Sequence, residues 1–227
     1  MCDEEIAFCF PLSYLLCFKL LQGVNSMKNY TPRRIIFSLL VLIVAISTWN
    51  VARAYIIYAT WATESATYRY HSSLPTAWQS PTNFGGQVWT NVLTSSWTFV
   101  YNTSSGNEIS YGGIDGVGNL VGQTTPSFAG DGHLNGFDIK FDSAESWYTG
   151  SGTPGSNQID ARSVSAHEFG HGLGLDHPQS QYCPTPSSNP ARATMCQGAV
   201  PGTTFRRTLA TDDKNGVSAA YPSIVAP

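Results

Sequence analysis

The chain has 227 residues and carries 12 lysine and arginine against 15 aspartate and glutamate side chains, a formal charge of −3. From residue 55 onward seven basic side chains face twelve acidic ones, so this part has a charge of about −5. No stretch is basic enough to form a nucleic-acid-binding face, which excludes nucleic acid as the expected partner. The length from residue 55 onward suits one domain with one core.

The first 54 residues have the pattern of an export signal. A basic segment, residues 28–34, precedes an apolar run of about 12 residues, and the small-x-small sequence Ala52-Arg53-Ala54 follows. This order is typical of a secretory signal peptide. We therefore predict Met27 as the initiator, cleavage after Ala54, and a secreted, extracellular or periplasmic protein made of residues 55–227.

A membrane anchor is the alternative interpretation of the same leader. A helix that crosses a bilayer needs about 20 apolar residues, and the run at residues 35–46 is shorter. Another apolar stretch, residues 6–21, is interrupted by Pro11 and Lys19, and an upstream start codon would explain why it precedes the signal. A membrane partner is expected only if the leader stays uncleaved.

The next part of the chain predicts a helix followed mainly by short strands. Residues 87–101 predict a helix running into a strand, because helical spacing of apolar positions gives way to alternation from Trp97 to Tyr101. Glycines are dense from residue 106 to 136, whereas residues 137–141 alternate as in a half-buried strand. Residues 149–157 form a loop by composition.

Two helices are predicted in the last third of the chain. Asp160 is the expected N-cap of a helix over residues 161–173, which ends where glycines follow. Thr211 is predicted to cap a last helix through Ala220, and the two aspartates after it suit the helix dipole. Strands that come first and helices that come later indicate an α+β fold.

The most specific signal is the sequence HEFGHGLGLDH, residues 167–177. His167 and His171 lie four residues apart on one helix face, so both imidazoles can bind one zinc ion. Gly174 can adopt a left-handed conformation, which ends the helix and lets His177 approach the ion from another direction. Three neutral nitrogen ligands leave one coordination position open for water.

Glu168 follows the first predicted ligand directly and is the candidate catalytic residue. A zinc ion lowers the pKa of bound water from 15.7 toward about 7, and this carboxylate can reach that water. It would take the proton during attack on a peptide carbonyl and pass it to the leaving amine. The sequence therefore predicts an endopeptidase with one catalytic zinc that activates water and Glu168 as general base.

The alternative function is a catalytically inactive, zinc-stabilised extracellular binding protein. A purely structural zinc site has four protein ligands and needs no adjacent base. The carboxylate of Glu168 beside three histidines therefore favours the enzyme.

Cys183 and Cys196 are the cysteines that remain after the leader. In an oxidising compartment such a pair is expected to form a disulfide, which for a loop this short contributes about 3 kcal/mol. Two free thiols are the alternative.

The pattern at residues 167–177 resembles the metzincin signature HExxHxxGxxH, which is followed by a methionine turn. Met195 stands in the expected place and, by this resemblance, forms an apolar floor beneath the ligands. Gln197 stands where astacins and serralysins usually have tyrosine, which favours the matrixin branch. Further segments similar to matrixins are DGVGNL at 115–120, FDSAESW at 141–147 and residues 209–221.

This resemblance implies a metzincin, or zincin-like, domain. Such a domain has a twisted, mostly parallel sheet with an antiparallel edge strand, an active-site helix, the methionine turn and a C-terminal helix. The edge strand would be residues 119–125, to which an extended protein or peptide substrate could pair. Residues 197–209 would shape the pocket for the substrate residue just after the cut. We expect a monomer.

The resemblance also implies structural calcium. Matrixins share one calcium ion between an Asp-Gly loop and downstream acidic residues, which here are Asp115, Asp142 and Glu145. Asp138 matches an aspartate at a second calcium site more weakly. Calcium takes six to eight oxygen ligands and tolerates irregular loops. The alternative is that these carboxylates are solvated turn residues.

Matrixins hold a second, structural zinc with histidines from three segments. Two of the corresponding positions here are Gly122 and Lys140, and no histidine shortly precedes Asp115. That second zinc is therefore expected to be absent.

Overall fold

The computed structural model describes residues 54–185, 189 and 191–223. The predicted leader lies outside the described residues apart from Ala54, so the initiator Met27, the signal peptide and its cleavage stay predictions. Among the described residues, no helix combines the length and the apolar character that crossing a membrane requires.

Nine strands and three α-helices form the described domain. The strands are β1 (Ile56–Ile57), β2 (Ser65–Tyr70), β3 (Thr98–Tyr101), β4 (Glu108–Gly112), β5 (Gly122–Phe128), β6 (Leu134–Asp142), β7 (Trp147–Tyr148), β8 (Ile159–Asp160) and β9 (Leu175–Asp176). The helices are α1 (Gln79–Thr90), α2 (Ala161–Gly172) and α3 (Thr211–Ala220). Short 3₁₀ helices occur at Thr76–Trp78, Ser180–Tyr182 and Phe205–Arg207.

A five-stranded sheet in the order β3-β2-β4-β6-β5 lies at the centre of the fold. The first four strands in this order are parallel, and β5 pairs antiparallel with β6 at one edge. β1 pairs antiparallel with β9, and β7 pairs parallel with β8. The predicted α+β fold, with a mostly parallel sheet and an antiparallel edge strand, is confirmed.

Strand β6 carries the alternation that the sequence predicted. Phe137, Ile139 and Phe141 are buried, whereas Asp138 and Lys140 between them are exposed. The strand is longer than the predicted 137–141 at both ends. The edge strand β5 starts three residues later than predicted, because residues 119–121 form a bend before it.

Helix α1 begins eight residues before the predicted start and ends at Thr90, so the helical spacing read as far as residue 95 was wrong. Residues 79–86 contain proline, asparagine and two glycines, which locally favour turns. Pro81 is tolerated because it lies in the first turn, where backbone N–H groups have no helical partner. Packing decides the outcome: the buried Trp89 donates from Nε1 to the α2 carbonyl of Ala166 at 2.7 Å.

Helix α3 has the predicted range but a different cap. Thr211 is its first helical residue, and Ala210 occupies the N-cap position without a side-chain hydrogen bond. The carboxylate of Asp213, inside the first turn, instead accepts from the Ala210 N–H at 2.8 Å. The prediction that Thr211 caps this helix was therefore wrong.

Aromatic side chains fix α2 against the sheet. Phe169, fully buried on α2, packs edge-to-face against Tyr68, Phe99 and Phe137, with ring centroids 5.0, 4.8 and 5.9 Å away. Each such pair adds about 0.5–1.5 kcal/mol beyond the area it buries. Phe169 lies between His167 and His171 in the sequence. Its packing against the core therefore also sets the direction in which these two histidines point from α2.

Candidate metal centre and active site

The start of α2 is fixed by Asp160. Its Oδ2 accepts from the backbone N–H of Ser163 at 2.9 Å and from the Ser163 hydroxyl at 2.7 Å, which confirms the predicted N-cap. Arg207 donates to both carboxylate oxygens, so the buried charge of Asp160 is paired. A fixed first turn sets the rotation of every later residue on the helix.

Gly174 turns the chain just after α2. Its φ is +109°, a conformation that glycine adopts without strain. A Cβ at this position would lie 2.0 Å from the carbonyl oxygen of Ala59, which leaves no room for any side chain. The turn leads into β9, and His177 follows this strand directly. The predicted helix-ending role of Gly174 agrees with this geometry.

Three aromatic side chains cap the carbonyls at the end of α2. These carbonyls have no partner within the helix, so they need donors from elsewhere. The Tyr58 hydroxyl donates to the carbonyl oxygen of His171 at 2.7 Å, and Trp61 Nε1 donates to that of Gly172 at 2.9 Å. The Tyr221 hydroxyl donates to the carbonyl oxygen of Leu173 at 2.6 Å. The Tyr221 hydroxyl also accepts from the Trp61 N–H at 3.0 Å.

The three predicted zinc ligands come together. The Nε2 atoms of His167 and His177 are 3.0 Å apart, those of His171 and His177 3.1 Å, and those of His167 and His171 3.2 Å. Nitrogens bound tetrahedrally to one zinc ion are about 3.3–3.4 Å apart. Within the described part of the chain, no other group of three or more histidine, cysteine or acidic side chains could hold an ion.

Hydrogen bonds at the other ring nitrogens set the tautomers of two of the predicted ligands. His167 Nδ1 lies 2.7 Å from the carbonyl oxygen of Thr194, and His171 Nδ1 lies 2.7 Å from that of Leu175. A carbonyl only accepts, so each Nδ1 carries the proton and each Nε2 of a neutral ring presents a lone pair. Burial lowers the pKa of His171 to about 4 and that of His167 well below its ordinary value, which keeps both rings neutral.

Converging lone pairs repel one another unless a cation lies between them. Burial also lowers the pKa of His177, so protonation of this ring is no ready substitute for a cation. Imidazole nitrogens in a tetrahedral arrangement are typical zinc ligands. The donor set, its spacing and its tautomers therefore fit a zinc ion.

Glu168 lies beside the histidines with its carboxylate buried. It is 4% exposed, and burial raises its pKa to about 7. The Thr124 hydroxyl on β5 lies 2.7 Å from Oε2 of Glu168 and 3.0 Å from its backbone carbonyl oxygen. The hydrogen bond from Thr124 stabilises the carboxylate form and opposes the effect of burial.

The segment predicted as the methionine turn, which contains Met195, lies against α2. Met195 is buried, and a Cβ on Gly170 would lie 2.2 Å from its sulfur, so only glycine allows this contact with α2. The turn is held by Asp213, whose carboxylate accepts from the N–H groups of Thr194 at 2.8 Å and Met195 at 3.1 Å. The Thr194 carbonyl, which orients His167, is therefore fixed by α3.

Cys183 and Cys196 form a disulfide with a Cα–Cα distance of 5.8 Å, which confirms the predicted pairing. The bond ties the residue after Met195 to the segment that follows His177. The methionine turn is thus held from two sides, by Asp213 and by the disulfide.

A cleft of about 470 Å³ opens next to the histidines and Glu168. One wall is the edge strand from Gly122 to Pro126, and the other includes residues 197–200, Thr203 and Arg206. The cleft follows a strand edge, so its shape suits an extended chain.

Comparisons with known proteins agree with this geometry. The sequence model of the matrixin family matches residues 61–222. The chain belongs to the matrixin family. It is also similar to matrix metalloproteinase-18 of Xenopus laevis, with 31% identity over 133 residues, which cover 53% of this chain and 27% of the frog protein.

The predicted calcium ligands of this matrixin lie near one another without forming a ligand set. Asp142 accepts from the N–H groups of Asp115, Gly116 and Ala144 at 3.2, 3.1 and 2.9 Å, which hold the pKa of its carboxyl below the ordinary value. Glu145 accepts from Gly118 at 2.6 Å. Among the described residues, these carboxylates do not gather as three groups able to hold one ion.

Asp138 lies apart from that loop, on β6. Its Oδ1 accepts from the Glu108 N–H at 2.7 Å, across the pair of strands β4 and β6. The calcium assignments therefore stay predictions.

Sequence reasoning missed several residues of the site. Thr124 falls within the predicted edge strand, but its contact with Glu168 depends on how β5 lies over α2. Tyr58, Trp61 and Tyr221 reach α2 from 113, 111 and 48 positions away, and no local pattern indicates such contacts.

Proposed function

We propose that this matrixin is a secreted zinc-dependent endopeptidase in which Glu168 is the general base. One observation carries the proposal: the Nε2 atoms of three histidines converge beside a buried carboxylate, next to a cleft that follows a strand edge. The family match supports the same activity. A structural metal site would need no unpaired carboxylate at this position.

The donor set would hold zinc through Nε2 of His167, His171 and His177. When bound, the ion would supply Lewis acidity toward a substrate carbonyl oxygen and toward water. The hydrogen bonds at Nδ1 of His167 and His171 keep the rings in the tautomer that this binding requires.

Glu168 would transfer the proton from the attacking water to the leaving amine. Its carboxylate accepts the proton of the attacking water and later delivers it to the nitrogen of the leaving amine. A pKa of about 7 lies near neutral pH, where a group can both accept and release a proton. The zinc charge would favour the ionised form, so the carboxylate is available as a base at neutral pH.

The substrate would bind along β5 as an additional strand. β5 lies at the sheet edge, and only its β6 side is paired among the described strands. Backbone groups on its other side can pair with an extended peptide, which gives affinity without reading sequence. Such binding supports cleavage within protein or peptide chains. We expect the enzyme to act as a monomer.

Export is part of the proposal. The leader pattern and the Cys183–Cys196 disulfide both favour an oxidising compartment outside the cytoplasm. Sequencing the N-terminus of the protein recovered from the medium tests this part; we expect Tyr55 as the first residue. The intact leader on a membrane-bound product would instead favour the anchored alternative.

The central experiment combines metal analysis with peptide hydrolysis. We expect about one zinc per chain, hydrolysis of a denatured protein that a chelator abolishes and zinc restores, and a Glu168→Ala variant that keeps zinc. Removing a general base should lower kcat by about 10²–10⁴-fold. Glu108→Ala is the matched control, because Glu108 lies on β4 and pairs with Arg69 away from the cleft.

The inactive binding protein predicts a different result. In that case zinc would be bound, but Glu168→Ala and the parent would both leave every protein and peptide substrate intact. Absence of zinc from the purified protein would contradict both functions.

A further inference from the structure

Arg206 is a buried cation in the wall of the cleft. It belongs to the 3₁₀ helix Phe205–Arg207, is 6% exposed and lines the same cavity as His167 and His177. The proposed reaction gives this side chain no role.

Arg206 has few hydrogen-bond partners for a buried guanidinium. It makes one long contact, 3.4 Å from NH2 to the carbonyl oxygen of Gln197, and its Nε has no partner among the described residues. Arg192, also buried, donates to the same carbonyl at 2.8 Å and to that of Pro184 at 3.1 Å. Two guanidinium groups therefore share one carbonyl, although a guanidinium offers five N–H donors.

The surroundings leave this positive charge incompletely balanced. The ion pairs within the described residues are Arg69–Glu108 and Arg207–Asp160, so neither Arg192 nor Arg206 is paired there. The buried carboxylate of Asp213 accepts from three backbone N–H groups and forms no ion pair with Arg206. Residues 186–188 and 190, which lie outside the described part, contain no acidic side chain.

A buried charge without a partner is costly, and proteins keep one where a ligand supplies the counter-charge. Burial lowers the pKa of Arg206 to about 10, so the group stays positive at neutral pH. Asp160 in the same cavity cannot provide the counter-charge, because Arg207 occupies both of its oxygens. A carboxylate that enters the cleft would meet a guanidinium whose hydrogen bonding within the described residues is limited to the long contact with Gln197.

We propose that Arg206 determines specificity by binding the carboxylate of the substrate residue directly after the scissile bond. The inference rests on the proposed function, since it needs a peptide in the cleft. Arg206 lines the wall opposite β5 together with residues 197–200 and Thr203. These residues belong to the segment 197–209, which the resemblance expects to shape this pocket. The enzyme would therefore cut in front of glutamate or aspartate.

The first experiment compares peptides that differ only in the residue after the cut: glutamate, glutamine, leucine and lysine. An arginine–carboxylate pair in a desolvated site should favour glutamate over glutamine by at least about tenfold in kcat/KM. Arg206→Met should reduce the ratio to about one while leaving the glutamine peptide cleaved. Arg206→Lys should keep part of the preference and covers the case in which the methionine variant does not fold.

Arg69→Met is the matched control, because Arg69 is a half-exposed arginine on β2 whose ion pair lies outside the cleft. Its glutamate-to-glutamine ratio should equal that of the parent. Equal cleavage of the glutamate and glutamine peptides by the parent would overturn the proposal. An equal loss of activity toward all peptides in Arg206→Met would also overturn it and would assign Arg206 a structural role.

Two further arms separate the possible sources of the carboxylate. The first arm uses peptides that end one residue after the cut, either as the free acid or as the amide. They test whether Arg206 binds the terminal carboxylate. A preference for the free acid without a preference for glutamate would overturn the assignment to the side chain. Chloride that stabilises the parent but not Arg206→Met, with equal cleavage of both peptides, would show a solvent anion site instead. In either case the proposed function would still stand if the parent cleaves the leucine peptide and Glu168→Ala does not.

Discussion

The hydroxyl of Thr124 on the edge strand lies 2.7 Å from Oε2 of Glu168 on α2. This contact joins the strand that would bind substrate to the residue that would move the proton. Substrate pairing along β5 would therefore act on a strand that also makes a hydrogen bond to this carboxylate.

Replacing Thr124 by valine keeps the shape of the side chain and removes the hydroxyl. A hydrogen bond to a charged group contributes about 1.5–3 kcal/mol, so kcat/KM should fall by about tenfold or more. The hydrogen bond from Thr124 lowers the pKa of Glu168, so its loss raises that pKa. A base must be unprotonated, and the acidic limb of the kcat/KM profile should therefore move to higher pH.

Thr124→Ser is the control, because it retains the hydroxyl. We expect its pH profile to match that of the parent. If the acidic limb of the kcat/KM profile does not move in Thr124→Val, this limb reports the titration of a group other than Glu168.

Replacing Gly174 by alanine should damage both stability and metal binding. The positive φ and the carbonyl of Ala59, 2.0 Å from a Cβ, each oppose a side chain, and the combined cost should be at least about 2 kcal/mol. Because the turn delivers His177, the affinity for zinc should also fall. Urea unfolding of the metal-free protein and a competitive chelator titration measure the two effects.

Gly113→Ala provides the comparison, since a Cβ there meets no atom within 4 Å. Its free energy of unfolding should lie within about 0.5 kcal/mol of the parent value. Equal stability of both variants would mean that the loop around Gly174 adjusts freely.

Calcium should raise the melting temperature of the parent protein, and Asp142→Ala should remove the increase. The reason is linkage: a ligand that binds only the folded state stabilises it. The carboxylates of Asp115, Asp142 and Glu145 would have to turn from backbone N–H groups toward the ion. Glu64→Gln, at an exposed acidic residue away from this loop, should respond to calcium as the parent does. An unchanged melting temperature in the parent would remove the calcium assignment.

Replacing Cys183 and Cys196 by alanine should lower the free energy of unfolding by about 3 kcal/mol, the value expected for a loop of this length. A reducing agent should produce a similar loss in the parent and none in the double variant. If the disulfide also holds the methionine turn in place, the double variant should bind zinc more weakly. Unfolding curves with and without reductant test the first effect.

The sequence predicted those parts of the site that depend on local spacing. Two histidines one helical turn apart, the Asp160 cap and the turn at Gly174 all follow from helix geometry within a short segment. The alternation of residues 137–141 likewise predicted β6, the strand that pairs with the edge strand β5. These features need no knowledge of distant residues.

Other parts could not be predicted because they depend on contacts between distant segments. The start of α1 consists of residues that locally favour turns, and it becomes helical through packing against α2. Ala210 and Asp213 cap α3 in a way that the preference of Thr211 did not reveal. The burial of Arg206 likewise follows from how its loop folds against the methionine turn.

The aromatic caps on α2 have a consequence for the order in which the protein matures. Trp61 and Tyr221 are 160 positions apart, yet one hydroxyl joins both to the last carbonyls of this helix. The first two histidines can come together as soon as α2 forms. The third follows a turn that begins directly after the carbonyls that these distant segments cap. High-affinity uptake of the ion should thus be a late event that reports completed assembly, and early or shortened chains should retain only a weak two-imidazole site.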